Sequence, residues 1–160
     1  MCKDPLLQYG TQALQDCEAG MPSDALQQVV LANVVTTGYV SCLVAEEYNG
    51  AVAHSLFYGL TILPDFEKKY LHGDVVAYGI LVQLALDQNE SELVLLRDFL
   101  SSIGIPTCLA DIGTLYEEGV LAPVLAETPT MPDMRHLPYE VPQQMLWQAI
   151  GTVEELKSHK

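Results

Sequence analysis

Two histidines, His54 and His72, are the residues of this sequence best suited to chemistry. They stand eighteen positions apart in "AHSLFYGLTILPDFEKKYLHGD", residues 53–74, and are two of four histidines in the whole chain. His54 lies inside an apolar, helix-like run, and His72 comes just before a glycine and a second apolar run. Two converging neutral imidazoles would suit Zn²⁺ or Fe²⁺, with a carboxylate as third ligand and one position left open for substrate. A lone histidine on an apolar helix is more often a satisfied core residue, and eighteen residues is no standard zinc spacing, so at this point both readings stand. His136, between Arg135 and Leu137, and His159, close to the C-terminus, read as surface histidines.

The elements that must carry these side chains read as helices. Asp4-Pro5 reads as an N-cap followed by proline at the first helical position, with Gly20 as the stop. Ser23 caps a long segment that closes near the turn dipeptide Asn49-Gly50. A helix from Ala51 to about Leu63 places Ala51, Phe57 and Tyr58 three or four steps from His54. After the polar connection "DFEKK", His72-Gly73-Asp74 leads into "VVAYGILVQLALDQ", apolar on every face and therefore a buried helix; Asp74 complements the positive end of its dipole. A hairpin of these two helices would bring both rings together. Asn89 or Ser91 caps the next helix, which Gly104 ends. A short helix is expected around Leu115–Leu125, then a proline-punctuated loop, then a last helix opened by Pro142. Strand-like alternation is nearly absent. The expectation is an all-α fold of six or seven helices, with residues 1–160 forming a single helical domain.

Bulk properties narrow the partners. With 21 acidic and 7 basic residues the formal charge is −14, which gives neither nucleic acid nor an anionic membrane the basic face it would need. The four cysteines form no CxxC pair and no signal-like pattern opens the chain, so reduced thiols in a cytoplasmic protein are expected. Residues 25–45, "ALQQVVLANVVTTGYVSCLVA", carry no charge over twenty-one positions, the length of a membrane span. Gln27, Gln28, Asn33, Thr36, Thr37 and Ser41 interrupt it, and no basic cluster flanks it. The segment is read as a central helix buried on nearly all sides, not as a span.

The motif "AVAHSLFYGLT", followed by "YLHGDVVAYGILVQLAL", resembles the helical C-terminal domain of the glycerol dehydrogenase branch of the iron-containing (metal-dependent) alcohol dehydrogenases. That branch has an A-A-A-H…G-L-T motif and then L-H-G-E-K-V-A-(F/Y)-G-x-L-V-Q-L at the same separation. "PSDALQQVVLANVVTTGYV" and "LRDFLSSIGIPTCLADIG" are similar to the helices on either side, so the resemblance spans residues 5 to 113 and continues more weakly to the end. It implies the dehydroquinate synthase-like all-α fold of that C-terminal domain. It also implies that His54 and His72 match the family's two histidine metal ligands, for zinc or iron. In the family the ion binds a substrate hydroxyl while hydride passes to NAD.

The departures are as informative. The family's third ligand is an aspartate in a G-x-G-D-A-type helix upstream of the matched region, and neither Asp4 nor Asp16 stands in its place. The dinucleotide-binding half has no counterpart here either, so the chain taken alone is expected not to catalyse the family reaction. Glycerol dehydrogenases often carry histidine and asparagine where this sequence has Phe57 and Tyr58. As substrate-binding residues, two aromatics would suit a diol, another alcohol or a 2-hydroxy acid at least as well as a small triol; equally, they can simply pack in the core. The leading expectation is therefore the metal- and substrate-binding part of an NAD-dependent alcohol or polyol dehydrogenase. The competing one is a non-catalytic interaction or oligomerisation module, pairing with an N-terminal half or with itself through apolar surface left uncovered at Val29–Val35 and Val75–Leu86.

Overall fold

The computed structural model describes residues 2–45, 48 and 50–157. The fold is 76% helical, with no strand among the described residues, as expected for an all-α chain. Helix α1 covers Lys3–Glu18, α2 Asp24–Val30 and α3 Thr37–Leu43; a π-helical stretch, Leu31–Thr36, joins α2 to α3 in one continuous rod. Then follow α4 (Ala51–Leu60), α5 (Phe66–Lys69), α6 (His72–Leu86), α7 (Glu90–Ser102), α8 (Glu118–Glu127) and α9 (Gln143–Lys157). Three 3-10 turns, at Leu109–Ile112, Thr128–Thr130 and Pro132–His136, fill the region between α7 and α9.

Local chemistry explains most of the boundaries. The Ser23 hydroxyl accepts the backbone N–H of Leu26 at 3.1 Å, and Asn89, not Ser91, caps α7 by accepting from the N–H of Glu92 at 3.4 Å. Asp4 is not a cap: α1 starts at Lys3, two residues before the expected first helical position, and Asp4 sits in its first turn, where its charge favours the helix dipole. Helix α4 stops at Leu60, three residues short of expectation, and the segment read as a polar connection makes the single turn α5. Helix α8 starts at Glu118 and carries Pro123 in its second turn, where the missing N–H leaves the Gly119 carbonyl without its intrahelical donor. The Asn49 half of the expected turn lies outside the described residues.

Helix α6 is the centre of the core. Its Val75, Tyr78, Leu81, Val82 and Leu86 are buried, against Val52, Leu56 and Leu60 of α4 and Leu146, Ile150 and Val153 of α9. This corrects the expectation that Val75–Leu86 would be left uncovered: within that span only Ile80 among the large apolar residues is exposed.

The opposite correction applies to residues 25–45. Instead of a helix buried on nearly all sides, α2, the π stretch and α3 form an exposed rod, with Ala32 buried, Val34 69% exposed, Tyr39 67% and Leu43 82%. Lack of charge made the segment read as core, but burial depends on neighbours. Among the described residues α1 packs on α2 and touches the π stretch, whereas α3 has no substantial contact beyond its own rod. The Asp24–Leu43 rod is also the one helix among the described residues long and apolar enough to cross a membrane by length and composition alone.

Candidate functional site

The site begins with a close crossing of α4 and α6. A Cβ added to Gly79 would lie 2.6 Å from the carbonyl oxygen of Ala53 and 2.8 Å from its Cα, so the two backbones touch where any side chain would part them. Ala53 directly precedes His54. Gly79 stands two turns after His72, on the same face of α6. The contact therefore draws together the helix faces that carry the two histidines.

The rings meet. The imidazole centroids of His54 and His72 are 5.3 Å apart, with planes tilted by 49°. His54 is half-buried in α4, and His72 is exposed as the first residue of α6. The Nδ1–H of His54 donates to the carbonyl oxygen of Gly50 at 3.1 Å, and the same oxygen accepts the His54 backbone N–H at 3.3 Å. Because a carbonyl only accepts, this bond fixes the proton on Nδ1 and leaves the Nε2 lone pair of the neutral ring available.

Gly50 itself is cornered. A Cβ there would fall 2.3 Å from a carboxylate oxygen of Asp133, and the next residue, Ala51, has φ of 46°, a left-handed value that costs a non-glycine residue energy. Sequence reading expected a group to orient each histidine without identifying it. For His54 that group is the Gly50 carbonyl one turn earlier, a backbone acceptor that no residue type marks.

These residues fit a divalent ion as far as they go. With metal–nitrogen bonds of about 2.0–2.1 Å and a tetrahedral angle, two ligating imidazoles have centroids about 5 Å apart, close to the separation of His54 and His72. One of them has its other nitrogen hydrogen-bonded to a carbonyl, the usual arrangement of a metal-ligating histidine. Among the described residues no third histidine, cysteine, aspartate or glutamate joins them in a cluster able to hold a metal.

The two aromatics expected beside His54 part company. Phe57 is buried, 6% exposed, with its ring edge-on to His72 at 4.3 Å and 73°. Tyr58 is 44% exposed and meets Phe57 edge-on at 5.4 Å. His136 lies on the surface against Tyr48, rings 4.8 Å apart, while His159 is outside the described residues. An apolar cavity of about 670 Å³ opens between α1, α2, α6 and α7, bordered by Gly73, Asp74 and Ala77; none of His54, Phe57, Tyr58 and His72 lines it.

No protein-family model matches the chain. Among curated proteins it is similar to the glycerol dehydrogenase of Citrobacter freundii, 32% identical over 159 residues, which is 98% of this chain and 42% of that protein. It is 33% identical over 158 residues to hydroxycarboxylate dehydrogenase A of Escherichia coli strain K12, across 98% of this chain and 43% of that one. Among solved structures, a probable glycerol dehydrogenase from Sinorhizobium meliloti 1021 superposes with a TM-score of 0.85 at 26% identity, over 99% of this chain and 44% of the other. The chain thus spans less than half the length of these relatives.

Proposed function

Because the chain is homologous over nearly its full length to the C-terminal part of glycerol dehydrogenase-like enzymes, we propose that it is the metal- and substrate-binding part of a metal-dependent, NAD-dependent alcohol or polyol dehydrogenase. The observation that carries this reading is the 5.3 Å approach of the His54 and His72 rings. In it, His54 and His72 hold a zinc or iron ion, His54 with its tautomer set by the Gly50 carbonyl. When bound, the ion supplies Lewis-acid polarisation of a substrate hydroxyl. The partly exposed Tyr58 ring, with Phe57 buried behind it, gives the substrate side an aromatic wall, which favours a diol, simple alcohol or 2-hydroxy acid over a triol that needs hydrogen bonds on every carbon. The third ligand and the nicotinamide site come from polypeptide outside these 160 residues, so the chain alone turns over no substrate. We place the protein in the cytoplasm, where NAD and reduced thiols are available.

The test is a chimera in which this chain replaces the matching part of the Citrobacter freundii glycerol dehydrogenase. The expected result is a bound divalent ion, lost on His54→Ala, and NAD reduction with a diol or 2-hydroxy acid in preference to glycerol. A folded chimera that retains no divalent ion sinks the reading.

A second reading has its own observation. Val30, Leu31, Val34, Val35, Tyr39, Val40 and Leu43 expose a long apolar face on the α2–α3 rod, which suits an interaction or oligomerisation module better than a free surface. In that reading the histidines are inherited and idle.

A further inference from the structure

The two imidazoles are held by different means. His54 is pinned by its Nδ1–H bond to Gly50, at 3.1 Å. The His72 ring, exposed at the start of α6, makes no hydrogen bond among the described residues; its ring contacts are with His54 at 5.3 Å and with Phe57 at 4.3 Å. Phe57 is itself buried in the core on α4, one turn after His54. A ring at 73° to its neighbour places the positive edge of one aromatic against the negative face of the other, the favoured geometry for such pairs.

We infer that Phe57 is a positioning residue: its buried ring clamps the His72 imidazole in the orientation that faces His54, doing for His72 by aromatic contact what the Gly50 carbonyl does for His54 by hydrogen bond. The inference concerns the apo rings, and only its consequence for metal affinity rests on the proposed function. An exposed imidazole at a helix terminus has a free χ1 and χ2, and each is ordered at a cost when a ligand is captured. A rigid neighbour removes that cost beforehand. Phenylalanine has no hydrogen-bonding group, so it holds the ring and leaves both His72 nitrogens unengaged.

The experiment uses the full 160-residue chain, first without metal. Nuclear Overhauser contacts are expected from the His72 ring protons to those of both Phe57 and His54. Phe57→Met, which keeps apolar volume but removes the ring, should abolish the His72–His54 contact, and Phe57→Tyr should restore it. Titration with Zn²⁺ should then show affinity weakened about 10- to 100-fold in Phe57→Met and near wild type in Phe57→Tyr, the range seen when groups supporting a metal ligand are lost. Absence of the Phe57–His72 contact in the wild type overturns the inference, as does a Phe57→Met chain that keeps both the His72–His54 contact and its Zn²⁺ affinity. If the wild type shows the ring contacts and responds as described to substitution but takes up no Zn²⁺, the clamp stands and the metal-site reading fails. Should Phe57→Met not fold, the wild-type and Phe57→Tyr contacts decide alone.

Discussion

Gly79 and Ala53 meet backbone to backbone, leaving 2.6 Å between the Ala53 carbonyl oxygen and the place a Gly79 Cβ would occupy. Neither partner can rotate out of the way, because the obstructing atoms belong to the main chain of α4. Gly79→Ala gains about 1 kcal/mol of helix propensity and forces overpacking that costs about 1–3 kcal/mol. The clash is with rigid atoms, so the upper end of that cost applies and the net is a loss of about 1–2 kcal/mol. Urea denaturation measures it. The same variant should also weaken the His54–His72 ring contact, since separating the helices moves both residues. A Gly79→Ala chain as stable as wild type would mean that α4 and α6 are not in this close crossing.

If His54 and His72 serve one ion, removing either should cost nearly all the binding, and removing the second should add little. Residues acting as one unit are strongly non-additive. Calorimetric titration of His54→Ala, His72→Ala and the double variant with Zn²⁺ reads this directly. Losses that add up across the two sites would assign the histidines to separate weak sites.

The Tyr78 hydroxyl crosses the core from α6 to donate to Glu154 Oε1 of α9 at 3.0 Å, and the Leu109 N–H donates to the same oxygen at 2.9 Å. Burial first, and then the Glu154 carboxylate, raise the Tyr78 pKa well above its ordinary 10.0. A folded value above the unfolded one means the stabilisation is complete below about pH 10 and erodes as pH climbs toward the folded value. Unfolding free energy should accordingly be level from about pH 7 to 9 and decline above about pH 10. Tyr139, raised by burial and by Asp87, and Tyr116, raised by burial and nearby glutamates, act in the same direction. Tyr78→Phe should lose about 1–3 kcal/mol at neutral pH, the cost of leaving a buried acceptor short of a donor. Its deficit against wild type should shrink above about pH 10, where the unfolded wild type ionises this tyrosine and the variant does not. A constant gap across that range would contradict the assignment.

What could be read from the sequence follows a physical division. Helix ends are set by residues a few positions away, so Ser23 as a cap, the choice of Asn89 or Ser91 as another, and Ala51 as the start of α4 after the Asn49-Gly50 dipeptide were legible. The pairing of His54 with His72 was legible because two helices joined by a short connection must pack side by side. Burial was not, because it depends on neighbours distant in sequence. Residues 25–45 and 75–86 are both free of charge and rich in apolar side chains, yet α6 lies between α4 and α9 while the α2–α3 rod has α1 along part of one side. The Gly50 carbonyl was missed because a backbone acceptor has no residue signature, and the split between buried Phe57 and exposed Tyr58 because adjacent helical residues point about 100° apart.

The exposed rod supports the last prediction. Val34 and Leu43 are 69% and 82% exposed, so neither contributes much to the core, and replacing either should change stability by about 0.5 kcal/mol or less. If the apolar face drives association, Val34→Lys/Leu43→Lys should lower the apparent mass seen by light scattering at high protein concentration. Charge alone could do the same, which is why the acidic counterpart belongs in the experiment. Starting from −14, two lysines bring the chain to −12 and two glutamates to −16, so a purely electrostatic effect moves the two variants in opposite directions. Loss of association in both would assign it to apolar contact along this face. A wild type that is monomeric at every concentration would remove the basis for reading the rod as an interaction module and leave the two-histidine site as the feature that defines the protein.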